Sequence, residues 1–188
     1  MTSYALIGLG NPGAQYERTR HNAGFWLVDA LCRAHNVALK ADKKFHGQYG
    51  SVVLGGTQWH FLKPDTFMNR SGIAVRALCD FYKLTQEQVL VAHDELDLAP
   101  GVVRLKKGGG HGGHNGLRDT TAHLGADYLR ARIGIGHPGS KELVLGYVLG
   151  VATKEHEKLI QDGIIALMSA VERLGSDGLE KTVQALHS

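Results

Sequence analysis

The chain is poor in cysteine, in long apolar runs and in net charge. Its 188 residues hold two cysteines, Cys32 and Cys79. Both fall in helical patterns with no partner at metal-site spacing, which excludes a disulfide framework and a thiolate zinc site and leaves two free core thiols in a reducing compartment. No apolar stretch approaches the ~18 residues of a membrane span. The opening MTSYALIGLG has neither the basic start nor the cleavage site of a secretory signal, so a cytoplasmic location is expected. A net charge of +3 is too small to declare a nucleic-acid partner by itself. There is no G-x-S-x-G elbow and no G-x-x-x-x-G-K-[ST] loop, so neither a serine nucleophile of that type nor a P-loop is available. No linker, repeat or low-complexity tract interrupts the chain, and residues 1–188 read as a single domain.

What is present is a regular alternation of apolar patterns. Strands are predicted near 4–10, 47–54, 58–63, 88–93, 102–106 and 130–136, and helices near 22–36, 70–83, 114–123, 154–174 and 176–186. In the longest helix Leu159, Ile160, Ile164, Leu167, Met168, Val171 and Leu174 form a core stripe. A hairpin is expected across Gly55-Gly56. Alternating strands and helices define an α/β fold: a twisted mixed β-sheet flanked by helices, a three-layer α/β/α sandwich.

Four polar islands break this pattern, each at a strand or helix end, where open α/β sheets bind their ligands. The first, Asn11 to Asn22, contains a literal G-x-G-x-x-G at Gly8, Gly10 and Gly13. Pro12 restricts that turn, a polar AQYERTR replaces the immediate helix, and no acidic residue ends a second strand at the right distance. A nucleotide cofactor is therefore not expected, and Gly8 and Gly13 read as turn residues that let Asn11 project. His21 is the residue here able to exchange a proton near neutrality. The third island, HDELDL, supplies Asp94, whose carboxylate fixes the tautomer of an imidazole that then accepts a proton from water. Asn11, Asn69 and Asn115, one from each of three islands, offer carboxamides that read a peptide bond or hold an oxyanion; Asn69 alternatively caps the helix beginning near Arg70.

The fourth island, KKGGGHGGHNGLRD, leaves alternatives open. Its backbone N–H groups suit a phosphate or ribose, and His93, His111 and His114 with Asp94 form a second possibility, a metal-dependent hydrolase. Against it, a His-x-x-His within glycines has no rigid helix to hold its ligands. Arg104, Lys106, Lys107, Arg118, Arg130 and Arg132 lie in a stretch whose only acidic residues are Asp119 and Asp127. That basic stretch suits phosphates, so a non-catalytic RNA-binding module is the third reading.

Together the islands GLGNPGAQYERTRHNAGF, KPDTFMNRSG, VAHDELDLAPGVVRLKKGGGHGGHNGLRD and RIGIGHPGSK resemble the bacterial-type peptidyl-tRNA hydrolases, from the first strand to beyond residue 140. The resemblance implies a monomeric esterase, without cofactor or metal, that cleaves the ester between a peptide and the 3′ ribose of tRNA. It implies His21 as the catalytic histidine, Asp94 as its carboxylate, and Asn11, Asn69 and Asn115 around the reacting carbonyl and peptide backbone. It further implies Tyr16 and Met68 near the cleft, His114 on the path of the tRNA end, and Lys106 and Arg132 on tRNA phosphates. Residues 137–151 are left open as a lid.

Overall fold

A computed structural model describes residues 1–187. Seven strands, β1 (Ser3–Gly8), β2 (Lys40–Asp42), β3 (Gly47–Leu54), β4 (Thr57–Pro64), β5 (Val89–Glu95), β6 (Val103–Lys107) and β7 (Leu129–Gly134), make one sheet in the order β2-β3-β4-β1-β5-β7-β6. The central pairs β1–β4, β1–β5 and β5–β7 are parallel, while β2–β3, β3–β4 and β6–β7 are antiparallel. The mixed sheet is the one expected. The hairpin turns at Gly55 and Gly56, whose φ values of 57° and 81° belong to the left-handed region that a two-residue turn demands.

Six helices complete the fold: α1 (Ala23–His35), α2 (Ser71–Tyr82), α3 (Asn115–Leu124), α4 (Val144–Val148), α5 (Lys154–Asp177) and α6 (Leu179–His187). Strand β1 is buried on both faces, so its sequence is apolar without alternation. Leu6 joins α1 and α5 in one core, and Ala5 and Ile7 join α2 and α3 in the other. That is the three-layer arrangement. On α5 the stripe Ile160, Ile164, Leu167, Val171 and Leu174 is buried, but Leu159 is 43% exposed; it lies one helical step off the stripe. Strand β2 and helix α4 lay outside the expected elements, being three and five residues long, too short for a period to register.

Connections leave the sheet on opposite faces. From β1 the chain passes through α1 to β2, β3 and β4; from β4 it passes through α2, on the other face, to β5. The crevice between the C-terminal ends of β1 and β4 is thus a topological switch point. The start of α1 sits directly on the sheet beside it. A β-carbon at Gly24 would overlap the Ala92 carbonyl oxygen and come within 2.6 Å of the Leu9 nitrogen. Gly8 faces the Gly24 carbonyl in the same way. Gly8 is thus the last residue of a strand, not a turn residue; it has no side chain because helix and strand backbones touch there. Gly24→Ala is expected to lower stability by about 1–3 kcal/mol and to displace the adjoining His21, read as a lower urea midpoint together with lost activity.

Candidate active site

His21 lies in a single 3-10 turn, Arg20–Asn22, that runs straight into α1. Its Nδ1 is 2.9 and 3.1 Å from the two carboxylate oxygens of Asp94, near the end of β5. The same carboxylate receives a second imidazole: His114 Nε2 is 2.8 Å from Asp94 Oδ1. His114 is also the N-cap of α3, where its Nδ1 accepts from the amides of Gly116 and Leu117 at 3.1 and 3.3 Å. This resolves the tautomers. An Nδ1 that accepts leaves the His114 proton on Nε2, donated to Asp94. Neutral His21 in turn donates from Nδ1, and its Nε2 lone pair is left free.

Asp94 is 2% exposed in its side chain and His21 13%. Burial disfavours the Asp94 charge, but His21 and His114 outweigh it and hold the carboxyl well below the usual carboxylate range. For His21, burial opposes the imidazolium, while the charge and hydrogen bond of Asp94 prevail and raise its pKa above 6.5. Behind them His93 is fully buried and donates from Nδ1 to the Asp94 carbonyl at 2.9 Å. Burial and His114 push its pKa down to about 4, so it stays neutral.

A second lock sets Asn11. Its backbone N–H donates to Asn22 Oδ1 at 2.8 Å, Asn22 Nδ2 donates to the Asn11 carbonyl at 3.0 Å, and Asn11 Oδ1 accepts from the Met68 amide at 2.8 Å. Asn11 is buried and held on three sides, where the sequence suggested a side chain projecting freely from a turn. Its Nδ2 has no protein partner and is not sealed from solvent. Asn22 was missed by sequence reasoning, which read it only as the helix entry. It occupies the N-cap of α1 without capping it, because its amide is committed to Asn11.

Asn69 and Asn115 are exposed, and the residues next to them pack together, Gly116 at the start of α3 lying against Met68 Sδ and Leu9. Arg70, not Asn69, is the N-cap of α2, with no side-chain cap bond. Met68 is buried beneath and Tyr16 is half-buried in the loop before His21. His114 does not offer a polar atom to an RNA end, since both ring nitrogens are engaged within the protein. His93, His111 and His114 do not assemble as metal ligands. Among the described residues the one such group is His21, Asp94 and His114, whose facing nitrogens hold the protons given to Asp94.

The basic stretch divides. Arg104 pairs across the sheet with Arg132 and Lys106 with Arg130, so all four leave one face of β6–β7. Arg130 turns inward and donates to the carbonyls of Gly109, Gly110 and Ala126, holding the glycine-rich loop. Arg132 Nε binds Glu95 at 2.9 Å; Lys106 is exposed. Residues 147–151 are tied to the loop before His21: Arg20 stacks on Tyr147 at 3.8 Å, its amide donates to the Gly150 carbonyl, and Thr19 bridges to Val151.

An α/β sandwich whose strand ends hold a buried aspartate, an imidazole with a free nitrogen and a fixed carboxamide has groups suited to a hydrolase. Residues 5–188 match the family model described as peptidyl-tRNA hydrolase. A peptidyl-tRNA hydrolase of Marinobacter nauticus is 52% identical over 184 residues, spanning 97% of this chain and 94% of that protein. One of Acinetobacter baylyi is 54% identical over 173 residues, spanning 92% and 89%. The crystal structure of peptidyl-tRNA hydrolase from Acinetobacter baumannii superposes with a TM-score of 0.96 at 48% identity, covering 98% of this chain and 94% of that one. The chain belongs to the peptidyl-tRNA hydrolase family.

A base must be neutral to act, so a catalytic role for His21 predicts an acid limb of kcat/KM on the raised side of an ordinary histidine, the direction in which Asp94 moves its pKa. Asp94→Asn removes the charge that raises it. The limb is expected to move to lower pH while the plateau falls about 100-fold or more, as measured by a pH–rate profile; an unmoved limb contradicts the assignment.

Proposed function

We propose that this protein hydrolyses the ester joining a peptide to the 3′ ribose of tRNA, with His21 as general base, Asp94 as its orienting carboxylate and Asn11 as oxyanion donor. The observation that carries the reading is the free His21 Nε2, with its tautomer fixed by Asp94, together with the Nδ2 of Asn11, which has no partner among the described residues and belongs to the turn bonded to Asn22, the residue after His21. His21 Nε2 takes a proton from water as the water oxygen adds to the ester carbonyl. Asn11 Nδ2 donates to the resulting oxyanion. Collapse expels the ribose 3′ oxygen, which recovers the proton from His21, leaving a peptide carboxylate and free tRNA. An ester is activated enough that no covalent nucleophile is needed.

Asn69 and Asn115 suit the peptide amide, with Met68 and Tyr16 lining the approach. Aminoacyl-tRNA has an ammonium in place of that amide. It leaves polar groups unpaired, a mismatch capable of large discrimination. Lys106 and the Nη groups of Arg132, which have no partner among the described residues, take tRNA phosphates. His114 serves the site by holding Asp94 and shaping the tRNA-end path. The site draws every group from one chain, in keeping with a monomer. Peptidyl-tRNA is a product of translation, in keeping with a cytoplasmic enzyme. No helix among the described residues is long and apolar enough to cross a membrane.

The test is release of tRNA from N-acetyl-aminoacyl-tRNA. Release is expected to survive EDTA and to fall ~100- to 10,000-fold in His21→Ala. Binding without release would instead identify an RNA-binding module, and EDTA-sensitive release a metal hydrolase. Lys106→Ala is expected to weaken tRNA binding and to reduce the slope of log K against log salt by about 1. Arg132→Ala is expected to change that slope less, because Glu95 already offsets its charge. Filter binding across a salt series measures both; an unchanged slope for Lys106→Ala refutes its phosphate role.

A further inference from the structure

A cavity of about 450 Å³ opens at the switch point between β1 and β4, within the size range of small-ligand sites. Asn11 and Asn22 belong to its wall as well as to the catalytic lock. The remaining wall comes from the loop after Pro12, the first turns of α1 and the ends of β3 and β4. Strand order gives the cavity its meaning. The basic strands β6 and β7 lie on one side of the His21–Asp94 pair, and β4 and β3 lie on the other. A substrate with RNA over β6–β7 and its ester at His21 must extend its peptide toward β4.

The charges there differ from those at the RNA end. Lys63 Nζ is neutralised by Asp29, at 2.9 and 3.1 Å from its two oxygens. Arg18, also in the wall, is paired with Glu157 at 3.5 Å. The carboxylates of Glu17 and Asp65, both exposed and both in the wall, have no partner among the described residues. Trp26 stands beside them, its indole N–H tied to the Glu17 carbonyl at 2.9 Å. Two unpaired carboxylates repel phosphate and attract a cation, and an indole adds cation–π attraction.

We infer that this cavity is a subsite for peptide residues upstream of the scissile ester, and that Glu17, Asp65 and Trp26 make it favour a lysine or arginine side chain. The inference rests on the hydrolase reading above and deepens it. Three substrates on one tRNA test it: acetyl-Ala, which has no charged side chain, acetyl-Lys-Lys-Ala and acetyl-Glu-Glu-Ala. The unmodified enzyme is expected to favour the lysine substrate over the glutamate one by about fivefold in kcat/KM, the scale of a partly exposed charge pair. The double variant Glu17→Gln, Asp65→Asn is expected to erase that preference and to leave acetyl-Ala-tRNA turnover unchanged. Absence of a preference in the unmodified enzyme, or its survival in the double variant, overturns the subsite. Equal loss on all three substrates overturns it too, since the carboxylates then support the fold or the chemistry. Failure of the unmodified enzyme on acetyl-Ala-tRNA overturns the hydrolase reading itself, and the subsite with it.

Discussion

Asp94 keeps a charge inside the protein, where an unpaired carboxylate is costly, and two imidazole N–H groups make that tenable. Each donor comes from a different part of the chain. His21 enters from the turn between β1 and α1, and His114 from the N-terminus of α3. The carboxylate therefore joins three elements that approach the sheet separately. Removing one partner of such a buried pair costs about 3–5 kcal/mol, so the requirement to satisfy Asp94 is also what sets the His21 imidazole in place. His93, donating to the Asp94 carbonyl, fixes the same residue through its backbone.

This geometry needs close approach as much as charge. Gly8 and Gly24 let α1 rest on the ends of β1 and β5 with no side chain between them. The turn that follows β1 can then be locked by reciprocal bonds between Asn11 and Asn22, and tied to the far side of the crevice through Met68. Gly116 admits the Met68 sulfur at the start of α3. The polar groups are preorganised because the apolar packing around them leaves little freedom.

Across the sheet the protein has a polarity. Arg104, Lys106 and Arg132 leave one face at the β6 edge, the His21–Asp94 pair sits over the centre, and an acidic-rimmed cavity opens toward β4. A substrate that is polyanionic at one end and a peptide at the other matches that order. Arg130, which the sequence grouped with the surface cations, instead organises the glycine-rich loop by binding its carbonyls. Cation count alone overstated the basic face.

The elements were legible because their patterns are strong. The five longer helices and six of the strands lie within a few residues of expectation, and the Gly55-Gly56 hairpin turns where its residues require. Both cysteines are buried and free. His21, Asp94 and the three asparagines were legible by residue type and position at strand ends. Other features were not. A three-residue strand has no measurable period. The fate of Asn22 depends on a partner eleven residues away, and the commitment of His114 to Asp94 on one twenty residues away. The unpaired state of Glu17 and Asp65 is known only once every neighbouring cation has been placed. Sequence by itself determined the longer elements, the candidate site residues and the family, because periodicity and residue chemistry are local. Tertiary structure alone decided the tautomers, the split of the basic stretch and the acidity of the cavity beside β4, because hydrogen bonds and charge pairs belong to groups that folding brings together.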